Sequence, residues 1–392
     1  MSSADQVKRA PRVGGDGSHR TVLDGLRALA IIGVMFVHAG VPGFRFGWIG
    51  VDLFFVLSGF LITTLLAMES SATGSIAYFP FMVRRALRLM PAYFLYSLFI
   101  TGLVWLWSGS VRSEEGGWNA AEFTAAIWTY TINFVPQGGV WNGQPLTVHL
   151  WSLAVEQQYY LVWPIVILAL HVRPAWLRGV ATVLAAATML GFVCAQHGLF
   201  KNQMLYTRGC SLIFASALAL WVWHKPELLR SRAFNRLVDC VGALALVALA
   251  VLPYKPGWGD DRIRDVFVPV LVPFFGMWIA RLWHVQSDGW IRNALQNRSL
   301  VYIGKISYGV YLYHEAVRVA VWFVMKPVMA DWTPAVGFLT RLAAYVLISF
   351  ALATLSYEFF EKRFLRMAGS FRPARAAKEG AASSASGSAD AA

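Results

Sequence analysis

Charge is scarce in this sequence. Asp, Glu, Lys and Arg make up 14% of its 392 residues, against 57% hydrophobic. Soluble domains carry roughly 25% charged and 45–50% apolar residues, so this chain cannot cover its apolar content with a polar surface. That excludes a soluble enzyme, a disordered chain and a nucleic-acid-binding domain, in spite of a net charge of +13. Cysteine is scarce too. Cys194, Cys210 and Cys240 lie in apolar stretches without ligand spacing, read as small core residues, which excludes a disulfide framework and a zinc pattern. His314-Glu315 is followed by Arg318 where a zincin needs a second His, and Ser58 is in no Gly-x-Ser-x-Gly elbow. No Walker loop or dinucleotide fingerprint occurs, so neither a metal nor a permanently bound cofactor is expected.

What the sequence has is long apolar runs, with 17 Trp, 26 Phe and 14 Tyr. A membrane-spanning helix needs about 20 mostly apolar residues. The stretches 22–41, 47–68, 91–108, 147–171, 175–196, 204–223, 236–252, 264–283, 301–324 and 335–359 qualify. The first follows a tail with Lys8, Arg9, Arg12 and Arg20 and holds Asp24 and Arg27, so it reads as a retained helix and not a removable leader. The segment 122–138 is weaker, being polar at Thr124, Thr129, Thr131 and Asn133 and ending at Pro136. Lys and Arg favour cytoplasmic loops. If 122–138 does not span, about 23 basic residues fall inside and about 8 outside; if it does, the split becomes about 13 against 18. The expected fold is therefore an all-α, polytopic membrane helix bundle of ten spans, both termini cytoplasmic, multi-pass in the inner (cytoplasmic) cell membrane. The segment 122–138 becomes an external or re-entrant element. Residues 1–20 and 369–392 are expected to be disordered tails around a transmembrane domain at 21–368, with no appended soluble domain. No internal repeat is evident.

Ionisable groups inside such helices are expensive and raise a functional hypothesis. Arg27 and His38, eleven residues apart, share one helix face about 16 Å apart, with Asp24 on nearly the same face. An Asp24–Arg27 ion pair with a carbonyl-satisfied His38 is the purely structural alternative. Asp52 sits near the outer end of the second span, which also carries Ser58-Gly59, suited to close backbone approach. Arg84, Arg85 and Arg88 precede the third span; they suit either a positive-inside loop or a clamp on phosphate groups. His149, Ser152 and Glu156 project from one face of the fourth span and should reach the depth of His38 and Asp52. The ninth span adds Tyr311 and His314, with Arg318 nearby.

Taken together, these residues resemble the acyltransferase-3 family of integral membrane O-acyltransferases. The resemblance rests on Arg27-x10-His38, the run Phe54 to Phe60, Arg85-x-x-Arg88 with Pro91, Trp151-Ser152-Leu153-x-x-Glu156, and Ser307-Tyr308-x-x-Tyr311-Leu312-x-His314, from about residue 22 to 366. The closing run Leu355 to Lys362 also looks like the family's last helix. The resemblance implies transfer of an acyl group, often acetyl, from cytoplasmic acyl-CoA to a hydroxyl of a glycan, glycoconjugate or small product. It also implies that Arg27, His38, Arg85 and Arg88 are functional. Gln157 stands where members often carry a second acid, which leaves Glu156 as the carboxylate of interest. The hydrolase-like external domain fused to some members is absent from this sequence.

A mechanism follows from these assignments. His38 acts as general base on the acceptor hydroxyl, or as a nucleophile through an acyl-imidazole. Glu156 or Asp52 orients its ring. Arg27, Arg85, Arg88 and Arg84, with Ser58, hold the acyl-CoA donor, and His149, Ser152, Tyr311 and His314 hold the acceptor. Expected partners are the lipid bilayer, acyl-CoA and a hydroxyl-bearing glycan, with no nucleic acid. A proton-coupled exporter would use the same His and carboxylates as a relay, but would favour inverted repeats and broken helix pairs, which are not evident. A glycan-binding assembly protein would explain the aromatics and leave the Arg27–His38 spacing unexplained.

Overall fold

The computed structural model of the chain describes residues 18–108, 119–135, 146–197, 203–251, 260–284, 289–329 and 331–371. Most of both expected tails lies outside the described residues, as do 109–118 and 136–145. The described chain is helical, without a strand. In order run α1 (Ser18–His38), α2 (Ile49–Thr73), α3 (Tyr78–Ser108), α4 (Ala120–Trp128), α5 (Leu150–Leu170) and α6 (Pro174–Gln196). Then come α7 (Cys210–His224), α8 (Arg232–Val251), α9 (Asp260–His284), α10 (Arg298–Val328) and α11 (Pro334–Leu355), which passes through a π-helical stretch, Ser356–Glu361, into α12 (Lys362–Gly369).

Each of the ten apolar stretches forms a helix, and eight of these are long and apolar enough to cross a membrane. The chain is a multi-pass membrane helix bundle. Of the other two, α7 has only 15 residues, preceded by one separate turn at Leu205–Arg208, while α10 has 31 and carries Lys305, His314, Glu315, Arg318 and Lys326. The doubtful segment 122–138 forms the nine-residue α4 and a 3-10 turn at Ile132–Phe134. Nine residues reach about 14 Å, less than half a bilayer core. A capping box between Asn119 and Glu122 starts this helix, and Phe123 and Ile127 pack it onto a core shared with α1, α3, α5 and α10.

Two expectations are corrected. The third helix begins at Tyr78 and not near 91, so Arg84, Arg85 and Arg88 lie on helix and not in a loop, with Pro91 inside the helix. Arg208, inside the apolar stretch 204–223, is buried against Asp52. Of the cysteines, only Cys210 is buried; Cys240 is exposed.

The bundle centres on α1, which packs against both α2 and α10. One apolar core joins α1, α2, α7 and α9; a second joins α1, α3, α4, α5 and α10. Contact between α1 and α10 is close because Gly304 lies directly on the Asp24 carbonyl, leaving no room for a Cβ. Gly59 meets the Leu212 carbonyl in the same way, which brings α2 onto α7.

Candidate active site

The docking of α1 on α10 sets His38, the last residue of α1, against the middle of α10. There His38 donates its Nδ1–H to Oε1 of Glu315. Glu315 is fully buried, and its other oxygen accepts two bonds from Arg318, at 3.0 Å from Nε and 2.7 Å from Nη2. A carboxylate can only accept here, so the proton on His38 sits at Nδ1 and the Nε2 lone pair is left for chemistry. About a third of the His38 side chain remains exposed, 31% against 0% for Glu315.

Two more histidines complete this cluster. The His38 and His149 rings each stand 5.1 Å from the ring of His314. His149 donates Nε2–H to the Leu312 carbonyl at 3.1 Å, and His314 donates Nδ1–H to the Tyr311 carbonyl at 2.6 Å. Below them, the Ser152 and Tyr311 hydroxyls lie 2.6 Å apart, and Ser152 also donates to the His149 carbonyl at 2.9 Å.

Those two hydroxyls form one end of a cavity between α1, α2, α3, α5 and α10. Towards its other end the cavity is lined by Arg27, Arg85, Arg88 and Lys305. Arg27 pairs with Asp24 at 2.7 Å. Arg85 lies over the Phe81 and Tyr160 rings. Among the described residues no carboxylate pairs with Arg85, Arg88 or Lys305. Glu156 is the one acid in the wall, and it accepts bonds from Ser58 and Tyr160. The cavity is therefore strongly cationic, with a polar, hydroxyl-bearing end near the histidines.

The structure thus gathers Arg27, Arg85, Arg88, Ser58, Ser152, Glu156 and Tyr311 around one cavity, and His38, His149 and His314 beside it. Two expected placements do not occur. Arg84 turns away, to Glu69 at 3.2 Å and the Phe371 carbonyl at 2.7 Å. Asp52 faces α7, where Ser211 donates to it at 2.8 Å and Arg208 pairs with it at 3.4 Å. Neither Asp52 nor Glu156 is the acid on His38; that acid is Glu315. The sequence signal for Glu315 is its place beside His314, one turn before Arg318.

A family model described as an acyltransferase domain matches residues 20–358. "Putative peptidoglycan O-acetyltransferase YrhL" of Bacillus subtilis (strain 168) is 30% identical over 363 residues, covering 88% of this chain and 55% of that protein. "Putative O-acetyltransferase SACOL0978" of Staphylococcus aureus (strain COL) is 30% identical over 357 residues, 87% of this chain and 56% of its own length. "Peptidoglycan O-acetyltransferase OatA" of Listeria monocytogenes is 28% identical over 356 residues, 86% and 54% respectively. The chain spans about half the length of the curated relatives it matches. No solved structure matches it.

Proposed function

The chain belongs to the acyltransferase-3 family, and on that premise we propose that it moves an acetyl group from cytoplasmic acetyl-CoA to a hydroxyl of a glycan across the inner membrane. The observation that carries this reading is the cavity. Four cations from three helices line it, and three have no carboxylate partner among the described residues. Guanidinium forks suit the phosphates of CoA. With those phosphates at the cationic end, the pantetheine arm follows the cavity towards Ser152 and Tyr311, whose paired hydroxyls mark its polar end.

The transfer step falls to His38. Its Nε2 takes the proton of the acceptor hydroxyl as that oxygen bonds to the thioester carbon. Collapse of the tetrahedral intermediate breaks the carbon–sulfur bond, and the imidazolium returns its proton to the CoA thiolate. Glu315 holds the ring and stabilises the imidazolium between these transfers, and Arg318 holds the other oxygen of Glu315 in place. His38 is reachable from outside the bundle, which suits an acceptor arriving from the opposite side to the donor. The names of the relatives support a cell-wall glycan as acceptor class.

Purified full-length protein given labelled acetyl-CoA and glycan fragments tests the proposal. Arg85→Ala or Arg88→Ala should raise the KM for acetyl-CoA tenfold or more, since a charge-assisted phosphate contact is worth about 1.5–3 kcal/mol. Transfer with an unchanged donor KM in both variants would remove the cavity from the mechanism.

A further inference from the structure

The tautomers of the histidine cluster leave an arrangement that the transfer reaction does not use. His314 spends its Nδ1–H on the Tyr311 carbonyl, so the neutral ring presents a lone pair at Nε2. That nitrogen is fully buried, has no hydrogen-bond partner, and lies 3.6 Å from Oε1 of Glu315. Two acceptors therefore face each other in a buried site, an arrangement that costs free energy unless a cation stands between them. His38 Nδ1 meets the same carboxylate oxygen, and the three donor atoms lie within 4.8 Å of one another.

We infer that His38 Nδ1, His314 Nε2 and Glu315 Oε1 form a reversible binding site for a divalent transition metal of zinc's chemistry, and that occupancy switches acyl transfer off. Two His and one Glu with an open fourth position is an established zinc donor set, and donors on a tetrahedral zinc stand about 3.3 Å apart. The separation of 3.6 Å between His314 and Glu315 already matches. His38 has only to back away from Glu315, which its place at the part-exposed end of α1 allows. The supporting shell is in place as well. The Tyr311 carbonyl fixes the His314 tautomer, and Arg318 holds the outer oxygen of Glu315, leaving Oε1 for the metal. The Arg318 charge lowers affinity, which fits a site that exchanges its metal.

The inhibitory half of the inference rests on the proposed function. Metal on the Nδ1 lone pair of His38 moves that ring's single proton to Nε2, turning the base into a donor. The acceptor hydroxyl then has nothing to take its proton. The ligands lie at 38 and at 314–315, so no local spacing could announce the set.

Titration of the full-length protein in detergent with ZnCl₂ against a fluorescent zinc indicator, without substrates, tests the site. One zinc per chain is expected, with affinity falling at least tenfold in His314→Gln and in His38→Ala. It should stay unchanged when Cys194, Cys210 and Cys240 are all replaced by Ser. The His38 variant removes a ligand from a part-exposed helix end, so it guards against a folding defect in the His314 variant. Cobalt in place of zinc should give the intense visible bands of a tetrahedral site. No stoichiometric zinc, or zinc affinity unchanged from wild type in both histidine variants, overturns the site and leaves the transferase proposal standing. Stoichiometric zinc that leaves the acetylation rate unchanged overturns the inhibitory coupling.

Discussion

Glu315→Gln changes one oxygen into an amide nitrogen, and the surroundings dictate how that amide must sit. Arg318 directs two N–H donors at Oε2, 2.7 and 3.0 Å away. The Gln carbonyl has to take that position, because an NH₂ there would face a guanidinium donor to donor. The amide nitrogen then points at His38 Nδ1 and donates to it. His38 must accept at Nδ1 and carry its proton on Nε2, the wrong tautomer for a base. Where the same swap of acid for amide reverses a catalytic histidine, turnover drops by about 10⁴; loss of general-base catalysis alone is worth about 10²–10⁴. We expect kcat for Glu315→Gln to fall by about 10³, with the KM for acetyl-CoA within about twofold of wild type, since the cationic cavity is untouched. Steady-state acetylation with labelled acetyl-CoA reads both constants, and size-exclusion of the detergent-solubilised variant reads folding. A well-folded Glu315→Gln protein that acetylates at more than about a third of the wild-type rate would show that this carboxylate does not govern the base.

His38→Ala should lower turnover by about 10²–10⁴ with donor binding retained, and His38→Gln should do no better because an amide cannot take the proton; equal rates in wild type and both variants would move the chemistry elsewhere. Asp52→Asn leaves Arg208 buried without its counter-charge, so folded yield and thermal stability should fall, by up to about 3 kcal/mol, while the kcat of the surviving protein holds; a selective kcat loss would return Asp52 to the catalytic set. For topology, a cysteine at Ala121 should react with an impermeant maleimide added to intact cells, and one at Ser75 only after permeabilisation. The same labelling at both positions would contradict opposite facing of α4 and the α2–α3 turn.

The ten apolar stretches were legible because bilayer thickness sets a minimum length that composition alone reveals. The start of α3 was not, because Arg84 to Arg88 interrupt the hydropathy without interrupting the helix, and Pro91 is tolerated within it. In the site, eleven-residue spacing was enough to put Arg27 and His38 on one face. It could not say which neighbour that face meets. Depth alone placed Asp52, Glu156 and His38 at one level, whereas helix rotation sends Asp52 to α7 and Glu156 to Ser58 and Tyr160. Glu315 was invisible as the partner of His38 because the pairing joins helices α1 and α10, which are neighbours in the bundle but far apart in the chain.

That pairing spans 277 residues of chain, and it has a consequence for how the protein is made. At about 5–20 residues per second, α1 enters the bilayer some 15–55 s before α10 leaves the ribosome. Through that interval His38 lacks Glu315 and the Gly25 face of α1 lacks Leu295, while the Asp24–Arg27 ion pair forms within α1 itself. It lets a helix with two charges stay in the membrane while it waits. A nascent chain halted before residue 315 therefore holds an inserted α1 and a complete set of cavity arginines, but no working base. Activity should appear abruptly, and late, as the ribosome passes α10.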